Sequence, residues 1–193
     1  MGQIDPSAWI APSAVVTGDV TIGAESRVLH GAVLNGDLGP VLIGSYVVVM
    51  EQALLRGRAT HPLSIGDAVL VGPHTHLNGT TVEDEVFVAT GVSMFPGSRA
   101  RAGSELRINS VLHVNSVLPP GTVVPIGWIA AGEPAELFAP ERHYDLWAAQ
   151  EPLNFPGTVY GVHRGTPMRE IMRRQCEAFG PDSVPGAPES GSA

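Results

Sequence analysis

The stretch Leu55-Arg56-Gly57, followed after a short detour by Ile65-Gly66-Asp67-Ala68-Val69-Leu70, Val71-Gly72-Pro73-His74-Thr75-His76 and Leu77-Asn78-Gly79, decides how this chain folds. An aliphatic residue followed by Gly or a polar residue returns every six positions. That period is neither the 3.6 of a helix nor the 2 of a plain strand. It belongs to a hexapeptide β-helix, in which each hexad makes one short strand and one corner.

Worked outward, the register starts at Ile4 and passes through Ile10, Val16, Ile22, Val28 and Leu34. After a loop from Asp37 to Leu42 it resumes at Ile43, Val49 and Leu55, detours through Thr60 and His61, and continues at Ile65, Val71, Leu77, Val82, Val88 and Met94. A weak turn at Ala100 precedes Leu106, Leu112, Leu118, Val124 and Ala130. Three hexads close a triangular coil, which predicts about six or seven coils. Strand alternation sends each aliphatic residue, and the small residue two before it, into the prism. Gly and Asp at the corners, such as Gly18-Asp19 and Gly66-Asp67, suit the tight backbone there.

Gly132-Glu133-Pro134-Ala135 ends the repeat. The expected architecture is an all-β solenoid over 1–136, a helical extension over 137–180 and a disordered tail over 181–193, rich in Pro, Gly, Ser and Ala. Within the extension, Pro140 to Gln150 reads as a short helix with Trp147 on its apolar side. Leu153 to Val162 reads as an extended aromatic connector, and Met168 to Phe179 as a second helix.

The formal charge is −8, and all eleven basic residues are Arg. An acidic chain without a basic run is a poor partner for nucleic acid or an anionic membrane. Without Lys, no side-chain amine is present for Schiff-base chemistry. The single Cys176 forms no internal disulfide and fits a reducing cytoplasm. No signal-peptide pattern opens the chain, and no run approaches the ~20 apolar residues of a membrane helix. A soluble, cytoplasmic protein is expected. The Arg-only, Ala/Gly/Pro-rich composition points to a bacterial gene.

Ile4-Asp5-Pro6-Ser7-Ala8 with Ile10-Ala11-Pro12, then Gly18-Asp19-Val20-Thr21-Ile22-Gly23, Gly31-Ala32-Val33-Leu34, Gly36-Asp37 and Gly132-Glu133-Pro134-Ala135 resemble the gamma-class carbonic anhydrases. The resemblance covers roughly residues 4–136, both loop insertions included. It implies a left-handed parallel β-helix, a trimer, and a zinc held by three histidines with a fourth position left for water. It also implies that the three ligand positions are Arg56, Pro73 and Asn78 in this chain, none of them histidine. Around them, Asn35, Met50 and Glu51 stand where the family has Arg, Gln and Asp, while Asp37 is kept. Arg has no deprotonated form with which to ligate a metal. The inherited zinc site is therefore expected to be absent, with no metal and no cofactor in its place.

The outer residues nevertheless remain polar. Asn35, Arg56 and Asn78 form one column with Asp37 and Glu51 nearby, and His113 lies two coils above Asn78. The candidate catalytic residues are Glu51, His76 and Arg56; the candidate substrate-binding residues are Asn35, Asp37, Asn78 and His30. A shifted metal site from His30, Glu51, His74 and His76 across a subunit boundary is an alternative, against surface histidines as the plain reading. Arg56 can bind a carboxylate or phosphate, or equally form a structural ion pair with Glu51 at the trimer seam. Trp147, Phe155 and Tyr160 can act as a lid or as simple packing.

These readings lead to a metal-independent enzyme on a homotrimer, acting on a small carboxylate, carbonyl or acyl substrate between subunits. One alternative is a non-catalytic assembly protein. Another is a hexapeptide acyltransferase using His61, although its loop is short for that chemistry. Zinc-dependent carbonic anhydrase activity fits the family but not the residues.

Overall fold

The structure is a computed structural model and describes residues 2–179; the tail expected to be disordered lies outside the described residues. Short parallel strands stack into a three-walled prism. The first wall carries Trp9–Ile10, Arg27–Val28, Val48–Val49, Leu70–Val71, Phe87–Val88, Glu105–Leu106 and Val123–Val124 in that order. Two longer strands, Val15–Ile22 and Val33–Ile43, run from the second wall around to the third. The second wall then continues with Leu54–Arg56, His76–Asn78, Ser93–Met94, Val111–Leu112 and Ile129–Gly132. The third continues with Leu63–Ile65, Thr81–Val82, Arg99–Ala100 and Val117–Leu118. The protein is a left-handed parallel β-helix of hexapeptide repeats with C-terminal α-helices.

The hexad reading accounts for the interior. Leu34, Leu55, Leu77, Met94 and Leu112 stack on one another with no exposed surface. Full burial of each such side chain contributes about 1.5–3 kcal/mol before chain entropy is counted. The row frays at its N-terminal end, where Ile4 is 45% exposed and Ile10 and Val16 are only half-buried. A solenoid's first coil has nothing beneath it. In the upper coils the residue two before the aliphatic is Ser98, Ser104, Ser110 or Ser116, each buried. Thr80 Oγ1 and Ser98 Oγ, 2.7 Å apart, share a hydrogen bond inside the prism.

Corners place one residue after another in the left-handed backbone region, including His74 at φ 56° and Gly79 at φ 58°. At Gly79 glycine is needed for space as well as for backbone angle. A Cβ there would come within 2.8 Å of the His61 carbonyl oxygen and 2.9 Å of the His61 Cβ.

After Gly132 the chain reverses, and Ala135–Phe138 pairs antiparallel with Ile129–Gly132. Helix α1 (His143–Gln150) covers this hairpin, burying Leu146 with Ala131 and Phe138. The inward residue is thus Leu146 and not Trp147, which is 50% exposed and has the Arg164 guanidinium over its ring. The stretch expected to be extended is also different. Phe155–Tyr160 forms a helix, α2, with Pro156 in its first turn and Gly161 closing it at φ 65°. Phe-Pro-Gly looks like a turn, yet Pro is tolerated at the start of a helix because its missing N–H would find no partner there. Helix α3 (Met168–Ala178) follows, with Ile171 its one buried residue.

Candidate functional site

The second wall positions the site. Its strands end with side chains that point away from the core, one residue beyond the buried Leu or Met. Asn35 pairs in register with Arg56, and Arg56 with Asn78. Because Leu77 pairs with Met94 and Met94 with Leu112, Phe95 and then His113 continue the column above. The column is therefore Asn35, Arg56, Asn78, Phe95 and His113.

Arg58 joins the column from the detour, two residues after Arg56. Its Nε donates to Asn78 Oδ1 at 2.9 Å and its Nη1 donates to the Val159 carbonyl of α2 at 2.7 Å. Sequence reading overlooked this residue. The signal was the Arg56-Gly57-Arg58 spacing, which returns two guanidiniums to the same side of an extended segment. Arg56 Nε is buried and makes no hydrogen bond, and the Phe179 ring lies 5.5 Å from its guanidinium carbon.

His76 stands beside these cations. Burial pushes its imidazole below the ordinary histidine value, and the guanidiniums of Arg56 and then Arg58 push it further. Burial also lowers the Arg58 value, with Arg56 adding to the effect and Tyr160 opposing it. Both shifts run downward because desolvation and a like charge each penalise the protonated form, although Arg58 remains a cation. His113 is lowered mainly by burial, its hydrogen bond with the Val114 backbone acting in the opposite direction.

The extension seals the upper part of the column. Phe155 packs against Phe95 and His113 with ring centroids 5.7 and 5.8 Å away, and Tyr160 packs on Phe155. Asn115 Nδ2 donates to the Leu153 carbonyl and to Thr158 Oγ1. Phe155 and Tyr160 thus cover the column, whereas Trp147 belongs to the cap over the hairpin.

Of the expected site residues, the fold brings Arg56, His76 and Asn78 together with Asn35 alongside. Asp37 accepts from Asn35 Nδ2 at 2.8 Å and from Thr17 Oγ1 at 3.0 Å, so it anchors Asn35. Glu51 and His30 stack at the preceding corner, both exposed, where Gln52 N–H donates to the His30 carbonyl. Glu51 and Gln52 form the corner that leads into the Leu54–Arg56 strand, with Gln52 at φ 58°. No ion pair joins Glu51 to Arg56 among the described residues, so the salt-bridge alternative is not realised within one protomer. His74 is exposed, and His30 Nδ1 shares a hydrogen bond with Ser13 Oγ.

The positions that the resemblance gives to zinc ligands hold a poor donor set. A guanidinium offers no lone pair, Pro73 has no donor atom in its side chain, and Asn78 Oδ1 already accepts from Arg58. These residues do not fit a zinc ion. Among the described residues no group of three or more His, Cys, Asp or Glu side chains is arranged to hold a metal.

Recesses lie elsewhere on the prism. One, of about 420 Å³, is apolar and includes Met50, Leu70, Pro73, Phe87, Ile108 and Ile126. Another, of about 400 Å³, is polar and includes His61, Arg99, Arg101 and Glu133. No described helix is long and apolar enough to cross a membrane.

Among known proteins, the chain is 41% identical over 101 residues to gamma carbonic anhydrase 1, mitochondrial, of Arabidopsis thaliana, a match covering 49% of this chain and 36% of that protein. It is 35% identical over 89 residues to a carbonic anhydrase of Geobacillus kaustophilus, covering 46% of this chain and 49% of the relative. The chain thus spans half or less of the length of these two relatives. A hexapeptide transferase family protein from Anaplasma phagocytophilum aligns in structure over 79% of this chain and 86% of its own, with 21% identity and a TM-score of 0.38. No family model matches the chain. In sequence the chain is similar to gamma-class carbonic anhydrases, and its solenoid fits a hexapeptide-repeat protein.

Proposed function

We propose that this protein works without the zinc of its relatives and binds a small anion bearing a carboxylate, carbonyl or acyl group at the Arg56 column, as an enzyme. The observation that carries this reading is the grouping of Arg56, Arg58 and His76, with no carboxylate paired to either guanidinium among the described residues. Two adjacent cations without a counter-ion are costly once desolvated, and an anionic ligand offsets that cost. Arg56 binds or polarises the anionic oxygen. Asn78 has its Oδ1 held by Arg58, which leaves its amide free to donate. His76 stands beside the two arginines as the candidate proton acceptor, and burial and those cations push its imidazole below the ordinary histidine value, which favours the form with a free nitrogen.

Glu51 and His30 can join such a site only across a subunit boundary, so a homotrimer belongs to this reading, as does a cytoplasmic setting. Thermal shifts of wild type and Arg56→Ala against a panel of carboxylates and acyl thioesters test it. Carboxylates should raise the melting temperature of the wild type alone. Equal, null responses from both proteins would remove its support.

A second reading, a non-catalytic assembly protein, draws on the cover that α2 and Phe179 place over the column. In that case Arg56 and Arg58 serve only to fasten the extension. No carboxylate should then bind, while both arginine substitutions loosen α2.

A further inference from the structure

Helix α3 is held differently from α2. The α2 segment is fixed by the Arg58 and Asn115 hydrogen bonds and by the Phe155 ring cluster. By contrast, α3 buries only Ile171, and its two ion pairs, Arg173–Glu177 and Arg174–Glu170, are internal to the helix. Its other hold on the prism is Phe179, just past its end, whose ring meets the Arg56 guanidinium while remaining 49% exposed. A cation–π contact made by a half-exposed ring contributes modestly. Beneath it, Arg56 Nε is buried with its hydrogen-bonding capacity unfilled, and buried polar groups are ordinarily satisfied. Arg58 alongside has Nε and Nη1 engaged by Asn78 and Val159, which leaves Nη2 for another acceptor.

We infer that Phe179 is a displaceable cover, holding the place of the flat apolar body of a carboxylic acid that lies over the Arg56 guanidinium while its carboxylate is taken by Arg58. This rests on the anion-binding reading above and narrows it to one ligand class, aryl or similarly flat monocarboxylates. Both arginines supply charge, and Arg58 Nη2 supplies a directional donor for the carboxylate. The guanidinium face that Phe179 covers supplies the platform for the ring. Lifting Phe179 frees the end of a helix that one buried isoleucine otherwise retains, so the ligand loosens α3 and leaves α2 in place.

The experiment titrates benzoate, and acetate as the ringless control, at constant ionic strength against wild type, Phe179→Ala, Arg56→Gln and Arg58→Gln. Binding is read by thermal shift, and α3 by hydrogen exchange over residues 168–178. Benzoate should bind wild type more tightly than acetate and should raise exchange in α3 but not in α2. Phe179→Ala should bind benzoate about two- to fivefold more tightly, the factor expected from removing one exposed cation–π contact. Each arginine variant should lose most of the binding. Benzoate binding that depends on Arg56, with α3 exchange and Phe179→Ala affinity unchanged, would overturn the cover alone. If neither acid bound wild type or Phe179→Ala, the cover and the anion-binding reading would both be defeated. Equal affinity for acetate and benzoate would defeat the choice of ligand class.

Discussion

Two rows of side chains run along the second wall one residue apart, and they obey opposite rules. Leu34, Leu55, Leu77, Met94 and Leu112 face inward, are uniformly apolar and have no exposed surface. Asn35, Arg56, Asn78, Phe95 and His113 face the other way and differ from coil to coil. The inner row tolerates little, because every vacancy is bounded by the coils above and below. The outer row has no repeat partner to satisfy, so chemistry and the C-terminal extension decide it. Stability resides in the first row; the site was assembled on the second.

The sharpest way to break this contrast is Leu55→Ala, beside Leu→Ala changes elsewhere in the inner row. Removing a fully buried Leu from the stack should cost about 2–5 kcal/mol in chemical denaturation. A loss below about 1 kcal/mol would mean that the coils close up around the gap and that the inner row is not rigid.

In the outer row, Arg58→Ala removes the bonds to Asn78 and Val159. Hydrogen bonds from a charged donor suggest a cost of about 1.5–3 kcal/mol. Hydrogen exchange should place the loosening in α2 and leave the inner coils protected. Loosening spread evenly through the solenoid would show that the two rows are not independent.

The pH dependence sharpens the comparison further. His76 and His113 both have values below the ordinary one in the folded protein. Above the unfolded value of about 6.5 both states are neutral, and neither histidine affects stability. As pH falls below that value the unfolded chain takes up protons first, so stability drops until the folded-state value is passed. Each histidine adds at most about 1.4 kcal/mol per pH unit within that window. Urea titrations from pH 7.5 down to 4.5 should show the fall, and His76→Gln should make it shallower. An unchanged slope would place His76 in solvent.

The smallest effect belongs to a region outside both rows. Glu177→Gln breaks the exposed Arg173–Glu177 pair on α3 and should change stability by no more than about 0.5 kcal/mol. A larger change, read in the same urea titrations, would show that α3 is fixed more firmly than Ile171 and Phe179 account for.

Much of the prism was legible because hexad periodicity is a local signal repeated many times. From Ile22 onward every aliphatic residue expected inside is buried. Neighbours in the outer column were legible for the same reason, since a solenoid turns sequence spacing directly into height. The extension was not, because its pieces have no repeat. Phe155-Pro156-Gly157 resembled a turn and became helix, and Trp147 yielded the buried position to Leu146. Arg58 went unnoticed because its partners, Asn78 and Val159, lie 20 and 101 residues away.

The sequence by itself determined the solenoid and its inner row, since a six-residue repeat fixes which side chains share a face, while the reading of Arg56, Pro73 and Asn78 as former histidine positions rests on the resemblance alone. Only the tertiary structure decided that Arg58 and His76 join Arg56, that Glu51 makes no ion pair with them among the described residues, and that Phe179 lies over Arg56. Those relations arise where a segment without periodicity folds back across the wall, and long-range contacts of that kind leave no regular spacing in the chain.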